Sequence, residues 1–227
     1  MSSPVLVVAA HPDDEVLGCG ATLAKLAADQ EVHILILGEG ATSRYASGSA
    51  AVQGEVARLQ AAARAGAAII GAQSITLDSL PDNRFDTVPL LDVVRRIEQI
   101  IQQIRPAAVY THHPGDINID HRITFQAVLT ATRPVPQQAV QELYAFEIPS
   151  STEWGFQQLQ PSFKPNVFVD VHTTIEIKLK AMAQYESESR AFPHPRSPEA
   201  LRNLARRWGS VVGVECAEAF ELIRSIR

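Results

Sequence analysis

From Pro4 to Ala10 every residue is apolar, with valine prominent, and the run ends abruptly in His11-Pro12-Asp13-Asp14-Glu15. A strand that is apolar on both faces must be covered on both, which is the condition of a parallel sheet held between helical layers. The carboxylates that follow suit the positive first turn of a helix, so this junction predicts strand, tight turn, helix.

The same alternation recurs downstream. It predicts a helix over Glu15–Ala28, a strand over Glu31–Leu37, a loop over Gly38–Arg44 and a helix over Gln53–Ala65. A third strand is expected within Ala68–Leu77, and Leu90, Val94, Ile97, Ile101 and Ile104 mark one face of a helix that Pro106 stops. Ala107–Thr111 reads as a strand, and the polar, turn-rich segment His112–Arg122 leads into a helix over Asp120–Thr132. Leu143–Ile148 and Asn166–Val171 read as strands, Ile175–Ser187 and Pro198–Trp208 as helices, and Ala217–Ile226 fits either. The class is therefore α/β: a mostly parallel sheet flanked by helices in three layers, with ligands outside the carboxyl ends of the strands. Pro134-Val135-Pro136 and Pro193–Pro198 are too short to separate domains, so one domain is expected over 1–227, with 166–227 open to forming a small subdomain.

Composition bounds the partners. A chain of 227 residues with 46% hydrophobic and 20% charged residues can bury a sizeable core and is not a disordered chain. Its 20 basic and 25 acidic residues give a net charge of -5 without runs of like charge, which argues against nucleic acid or an anionic membrane and for a small-molecule partner. Two cysteines, Cys19 and Cys216, exclude a disulfide framework, and Met1-Ser2-Ser3-Pro4 lacks the features of a signal peptide. Apolar stretches such as Ile34–Leu37 fall far short of the roughly 20 residues that cross a bilayer. A cytoplasmic protein without a membrane span is the expectation.

Seven histidines are spread along the chain, and two groups of them sit with carboxylates in loops that follow strands. His11 lies beside Asp13 and Asp14; His112, His113 and His121 lie beside Asp116 and Asp120. Two imidazoles and a carboxylate suffice for a catalytic zinc with a fourth position left to water, and His11, Asp14 and His121 could supply them. Either group alone reads better as local structure, His11 and Asp14 capping a helix and His121 pairing with Asp120. Both at one sheet edge read as a metal site.

Those residues carry a resemblance. Val7-Val8-Ala9-Ala10-His11-Pro12-Asp13-Asp14-Glu15, followed by Gly18-Cys19-Gly20 and by Gly115-Asp116-Ile117-Asn118-Ile119-Asp120-His121-Arg122, resembles the PIG-L, or LmbE-like, family of zinc-dependent N-acetylglucosaminyl deacetylases. The resemblance implies a Rossmann-like sheet, one Zn2+ per chain on His11, Asp14 and His121, Asp13 as general base, and an N-acetylated amino sugar as substrate. Iron(II) or another divalent ion also suits the donor set. Family members often assemble, so a homo-oligomer is possible. Where some members carry a histidine three positions before the last ligand, this chain has Asn118, which can donate a hydrogen bond but no proton. His194 and His113 are then the candidate general acids, with His112 a further one.

Arg44 matches a family position that grips sugar or phosphate oxygens, and a guanidinium can do so bidentately. Asp82, with Asn83, is a candidate for sugar hydroxyls, Asn118 for the oxyanion, and Asp120 for orienting a neighbouring histidine or Arg122. Glu147 and Ser150-Ser151-Thr152 follow a strand and are candidates for lining the pocket. Gly18-Cys19-Gly20 inside a helix reads as close packing rather than a nucleotide motif. Two rival functions fit the same sequence: a metal-dependent phosphoesterase, and a non-catalytic sugar- or nucleotide-binding module.

Overall fold

A computed structural model of the chain describes residues 3–44 and 50–227; Met1 and Ser2, part of the opening read above for a signal peptide, lie outside them. Seven strands, β1 (Val5–Ala9), β2 (Val32–Gly38), β3 (Ser74–Leu80), β4 (Ala108–His112), β5 (Glu142–Phe146), β6 (Val167–Asp170) and β7 (Ala217–Ser225), form one sheet in the order β3-β2-β1-β4-β5-β7-β6. β1 to β5 pair in parallel, while β7 runs antiparallel between β5 and β6. Among the described residues, six α-helices cover the sheet: α1 (Asp14–Leu26), α2 (Ala50–Ile70), α3 (Leu90–Ile104), α4 (Ile119–Ala131), α5 (Ile175–Met182) and α6 (Pro198–Val212). None is long and apolar enough to cross a membrane.

The apolar run at the start becomes β1, the middle of the sheet, and each of its residues is at most 3% exposed. Val5, Val7 and Ala9 join the core beneath α1 and α2; Leu6 and Val8 join the opposite core with Val94, Ile97 and Ile101 of α3. The period-2 alternation of a strand thus feeds two cores at once, each buried valine or leucine contributing roughly 1.5–3 kcal/mol.

Several element ends differ from the sequence reading, α6 for one running on to Val212. Ala68–Ile70 continues α2 rather than opening a strand, because Ala63, Ala67 and Ile70 recur at helical spacing on its buried face. Gly71, at φ 87, ends that helix, and the N–H groups of Gly71 and Ala72 both bond to the Ala67 carbonyl. β3 starts only at Ser74. α5 stops at Met182, short of the Ser187 expected, and turns follow it. The final ambiguous segment is a strand, β7.

α1 is broken at Cys19, whose backbone (φ -148, ψ 15) leaves the helical region. Phe146 fills the space a Cβ on Gly18 would need, so close packing accounts for this glycine. A buried ion pair satisfies the groups that the break frees. Lys178 Nζ donates to the Leu17 carbonyl (2.8 Å) and to Glu218 (2.6 Å), and the Glu218 carboxylate accepts from the N–H groups of Ala21 and Thr22. α5 and β7 thereby fix the helix that carries Asp14.

Candidate active site

In a sheet of this order the strands are added first to one side of β1 and then, from β4, to the other, and the crevice beyond the carboxyl ends of these two parallel strands is where such folds place ligands. Both histidine-carboxylate groups emerge there. The Ala10 N–H donates to His112 Nε2 (2.8 Å), tying the two strand ends together.

Asp13 caps α1 in a left-handed backbone, φ 105, unfavourable for a residue with a side chain by about 1–3 kcal/mol. The surroundings hold it there. Its N–H donates to Glu15 Oε2 (3.1 Å), its carbonyl accepts from Val16 and Leu17, and Tyr185 Oη donates to the other Glu15 oxygen inside the core. The turn brings His11 and Asp14 to one side: the His11 N–H donates to Asp14 Oδ2 (2.8 Å) and His11 Nδ1 lies 3.3 Å from the same oxygen. His121, in the first turn of α4, places its Nε2 3.3 Å from that oxygen as well.

Each of these two rings has its other nitrogen beside a carboxylate. His11 Nε2 is 2.9 Å from Asp120 and 3.3 Å from Asp82, while His121 Nδ1 is 3.2 Å from Asp116. That is the arrangement in which carboxylates set the tautomer of metal-binding imidazoles, leaving the facing nitrogens free to donate electrons. The ligand atoms of His11, Asp14 and His121 all lie within 4.8 Å of one another. A second group, His11, Asp82 and Asp120, is equally compact but draws on the same His11 ring.

The electrostatics ask for a cation. Burial opposes charge on His11, yet hydrogen bonds to Asp120 and Asp14 raise its pKa well above that of a free histidine. For His121 burial is likewise outweighed, by Asp14 and Asp116, and its pKa rises to about 9. Burial disfavours the Asp14 carboxylate, but His121, His112 and His11 hold it well below the usual range. A divalent ion meets the same demand for positive charge, so these residues fit one.

Asp13 is 2% exposed. Burial pushes its pKa well above the usual carboxylate value, against the pull of Arg196, whose Nη1 lies 2.7 Å from Asp13 Oδ2. Arg196 also bonds through Nε to Ser150 Oγ (2.7 Å) and through Nη1 to Glu188 (3.2 Å), and Glu188 binds Arg44 through both oxygens (2.5 and 3.0 Å). A cavity of about 300 Å³ opens over this ensemble. Its wall includes Arg44, Asp82, Asn83, Asn118, Ser150 and Ser151.

The candidates from the sequence divide accordingly. His11, Asp13, Asp14, His121, Arg44, Asp82 and Asn118 meet at the cavity, and Asp120 stands behind His11. Asp82 is turned inward, accepting from Ser43 N and Oγ. Asn118 caps α4 and donates to Asn83 (3.2 Å). His113 and His194 are not on the cavity wall. His113 accepts from the Gly115 N–H and lies 3.1 Å from Glu221; His194 accepts from the Arg196 N–H and packs edge-on to Trp154. His112, buried and stacked on His121, also stands off the wall.

Five residues had no site role in the sequence reading: Asp116, Glu15, its partner Tyr185, Glu188 and Arg196. Arg196 lies two residues from His194 in the same proline-flanked segment, and a guanidinium is the natural partner for a buried carboxylate. What joins it to Asp13 is a contact across 183 positions.

Glu147 is also off this cavity. Its carboxylate accepts from Trp208 Nε1 (2.6 Å), and burial lifts its pKa to about 7. An acid whose pKa is higher folded than unfolded favours the native state most at low pH, and that contribution is lost as pH rises from about 4.5 through 7. Glu147→Gln should therefore flatten the fall in stability between pH 5 and 8 by roughly 1–2 kcal/mol, allowing for solvent at its open edge. Urea unfolding at both pH values checks this; parallel curves for both proteins would contradict it.

Residues 6–132 match the family model described as PIG-L: GlcNAc-PI de-N-acetylase. The chain is 31% identical over 189 residues to the uncharacterized deacetylase YaiS of Escherichia coli K12, covering 81% of this chain and 90% of that protein. It is 28% identical over 237 residues to a diacetylchitobiose deacetylase of Thermococcus kodakarensis, covering 98% and 84%. Among solved structures, the 4-carboxy-2-hydroxymuconate hydratase GalB of Pseudomonas putida KT2440 superposes with a TM-score of 0.77 at 19% identity, over 100% of this chain and 98% of that one. That likeness concerns the fold alone, since one fold hosts different chemistries. The family model spans both strand ends that build the crevice, and with the identity to YaiS it establishes that this chain belongs to the PIG-L family.

Proposed function

We propose that the chain is a metal-dependent N-deacetylase that hydrolyses the acetamide of an N-acetylglucosaminyl conjugate, giving acetate and a free amine. The observation that carries this reading is the meeting of His11, Asp14 and His121 around one carboxylate oxygen, with Asp13 buried beside them. His11, Asp14 and His121 would hold one ion, zinc by the mixed imidazole and carboxylate donors, with iron(II) compatible. Such an ion polarises a carbonyl oxygen and lowers the pKa of water to about 7.

The chain's residues supply the proton transfers and the positioning. Asp13 accepts the proton of the attacking water at a carboxylate oxygen. Burial makes Asp13 a stronger base than an exposed aspartate, and Arg196 beside it opposes the premature protonation that burial favours. The acquired proton is then available for the departing nitrogen, which as an amide anion would be a very poor leaving group. With His113 and His194 off the cavity wall, we assign this return step to Asp13. Arg44 and Asn118 offer N–H groups to sugar oxygens from the wall, and Asp82 fixes Ser43 and the His11 ring.

The experiment is acetate release from N-acetylglucosamine and N,N'-diacetylchitobiose by protein of known metal content. We expect about one ion per chain, activity lost on chelation and restored by Zn2+, and a metal content near zero in His121→Ala. Phosphate release from sugar phosphates without acetate release would favour the phosphoesterase. Full metal loading without turnover of any acetamide would favour a binding module.

A further inference from the structure

We propose that Glu188 makes this site selective for an uncharged amino-sugar conjugate by occupying the arginines that would otherwise grip an anion. The inference rests on the deacetylase reading and extends it to the class of group that the sugar carries. Arg44 and Arg196 are the two guanidiniums on the cavity wall among the described residues. Glu188 reaches both: it binds Arg44 through two oxygens (2.5 and 3.0 Å) and Arg196 at 3.2 Å. Arg196 is further engaged by Asp13 at 2.7 Å.

Burial makes the arrangement hard to undo. The Glu188 side chain is 5% exposed, whereas that of Arg44 is 44% exposed. A phosphate or carboxylate on the ligand could capture the Arg44 fork only by displacing Glu188, leaving a buried carboxylate with one shared cation instead of two. Breaking one side of a buried pair is strongly unfavourable. Around the arginines the wall offers neutral groups, Asn83, Asn118, Ser150 and Ser151, together with the carboxylates Asp13, Asp14 and Asp82. Neutral hydroxyls can accept the N–H groups of Arg44 that Glu188 leaves free; a further anion would face an acidic wall. Selectivity of this kind comes from a repulsive element as much as from attractive ones.

The test compares methyl N-acetylglucosaminide with N-acetylglucosamine 1-phosphate, using the metal-loaded full chain. Wild type should favour the neutral glycoside in kcat/KM by at least about 10-fold, the scale on which one like-charge contact discriminates ligands. Glu188→Gln frees the Arg44 fork and should shift that ratio toward the phosphate by about 10-fold or more. The double variant Glu188→Gln/Arg44→Gln should reverse the shift, separating a freed guanidinium from a general change in charge. Arg44→Gln alone should leave the ratio where it is, which keeps the proposal testable if Glu188→Gln does not fold. A wild type that prefers the phosphate, a folded Glu188→Gln with an unchanged ratio, or a selective loss of phosphate turnover in Arg44→Gln would each overturn the proposal. Should neither these compounds nor N-acetylglucosamine and N,N'-diacetylchitobiose be deacetylated, the deacetylase reading fails. Calorimetric titration of the same two ligands then decides the selectivity claim, which tighter binding of the phosphate by wild type would overturn.

Discussion

Asp13→Asn should lower kcat for acetate release by about 10²–10⁴-fold, the contribution expected of a positioned general base, with metal content and fold unchanged. Asparagine is the informative replacement because it keeps the shape of the side chain and tolerates the left-handed backbone that Asp13 adopts at φ 105. Alanine would add backbone strain to the loss of chemistry. The amide can still accept a hydrogen bond from Arg196, and Arg196 retains Glu188, so no guanidinium is stranded. KM should change little, because the lost interaction is a proton transfer rather than ground-state binding. The measurements are kcat and KM for acetate release, metal per chain and circular dichroism. A folded, metal-loaded Asp13→Asn with kcat within about threefold of wild type would remove Asp13 from the mechanism and leave the base elsewhere.

The second large effect is on stability. Lys178→Met should cost about 3–5 kcal/mol, the range for removing one partner of a buried ion pair. Lys178 and Glu218 are each about 5% exposed, and the ammonium also satisfies the Leu17 carbonyl at the break in α1. Methionine fills the space but leaves the Glu218 carboxylate in the core without its cation. Adding Glu218→Gln should recover part of the loss, because an amide oxygen still accepts from Ala21 and Thr22 without a buried charge. Urea unfolding of the two single variants and the double variant forms the cycle that measures the coupling. A loss under about 1 kcal/mol for Lys178→Met would mean that the pair is not what holds the broken helix.

The metal-binding candidates were legible because their chemistry is local. His11 and Asp14 sit on one turn, that turn follows an unmistakable buried strand, and His121 follows another. Asp120 was legible as a support because it is adjacent to a candidate ligand, although the ring it meets is that of His11, 109 positions away. Helix α3 was legible from its apolar stripe, which has one period and one face to bury, although the fully buried Val93 lies outside the stripe as read. The end of α2 was not: an alanine- and isoleucine-rich stretch suits helix or strand, and the choice fell to packing against the core. The histidine at 194 drew the search for an acid, but the fold brings the neighbouring Arg196 to the cavity instead.

The order of the elements, the type of most of them, the buried central strand, and the presence of a histidine-carboxylate set after strands were written in periodicity and local spacing. Those are properties of short segments, which hydrophobic burial and backbone geometry settle without reference to distant residues. Which groups share a contact was decided elsewhere. Arg196 with Asp13, Glu188 with Arg44, and Lys178 with Glu218 at the break in α1 all join residues brought together by the winding of the strands. An ion pair depends on a few ångströms of separation and on burial from water, and neither quantity exists until the layers have closed.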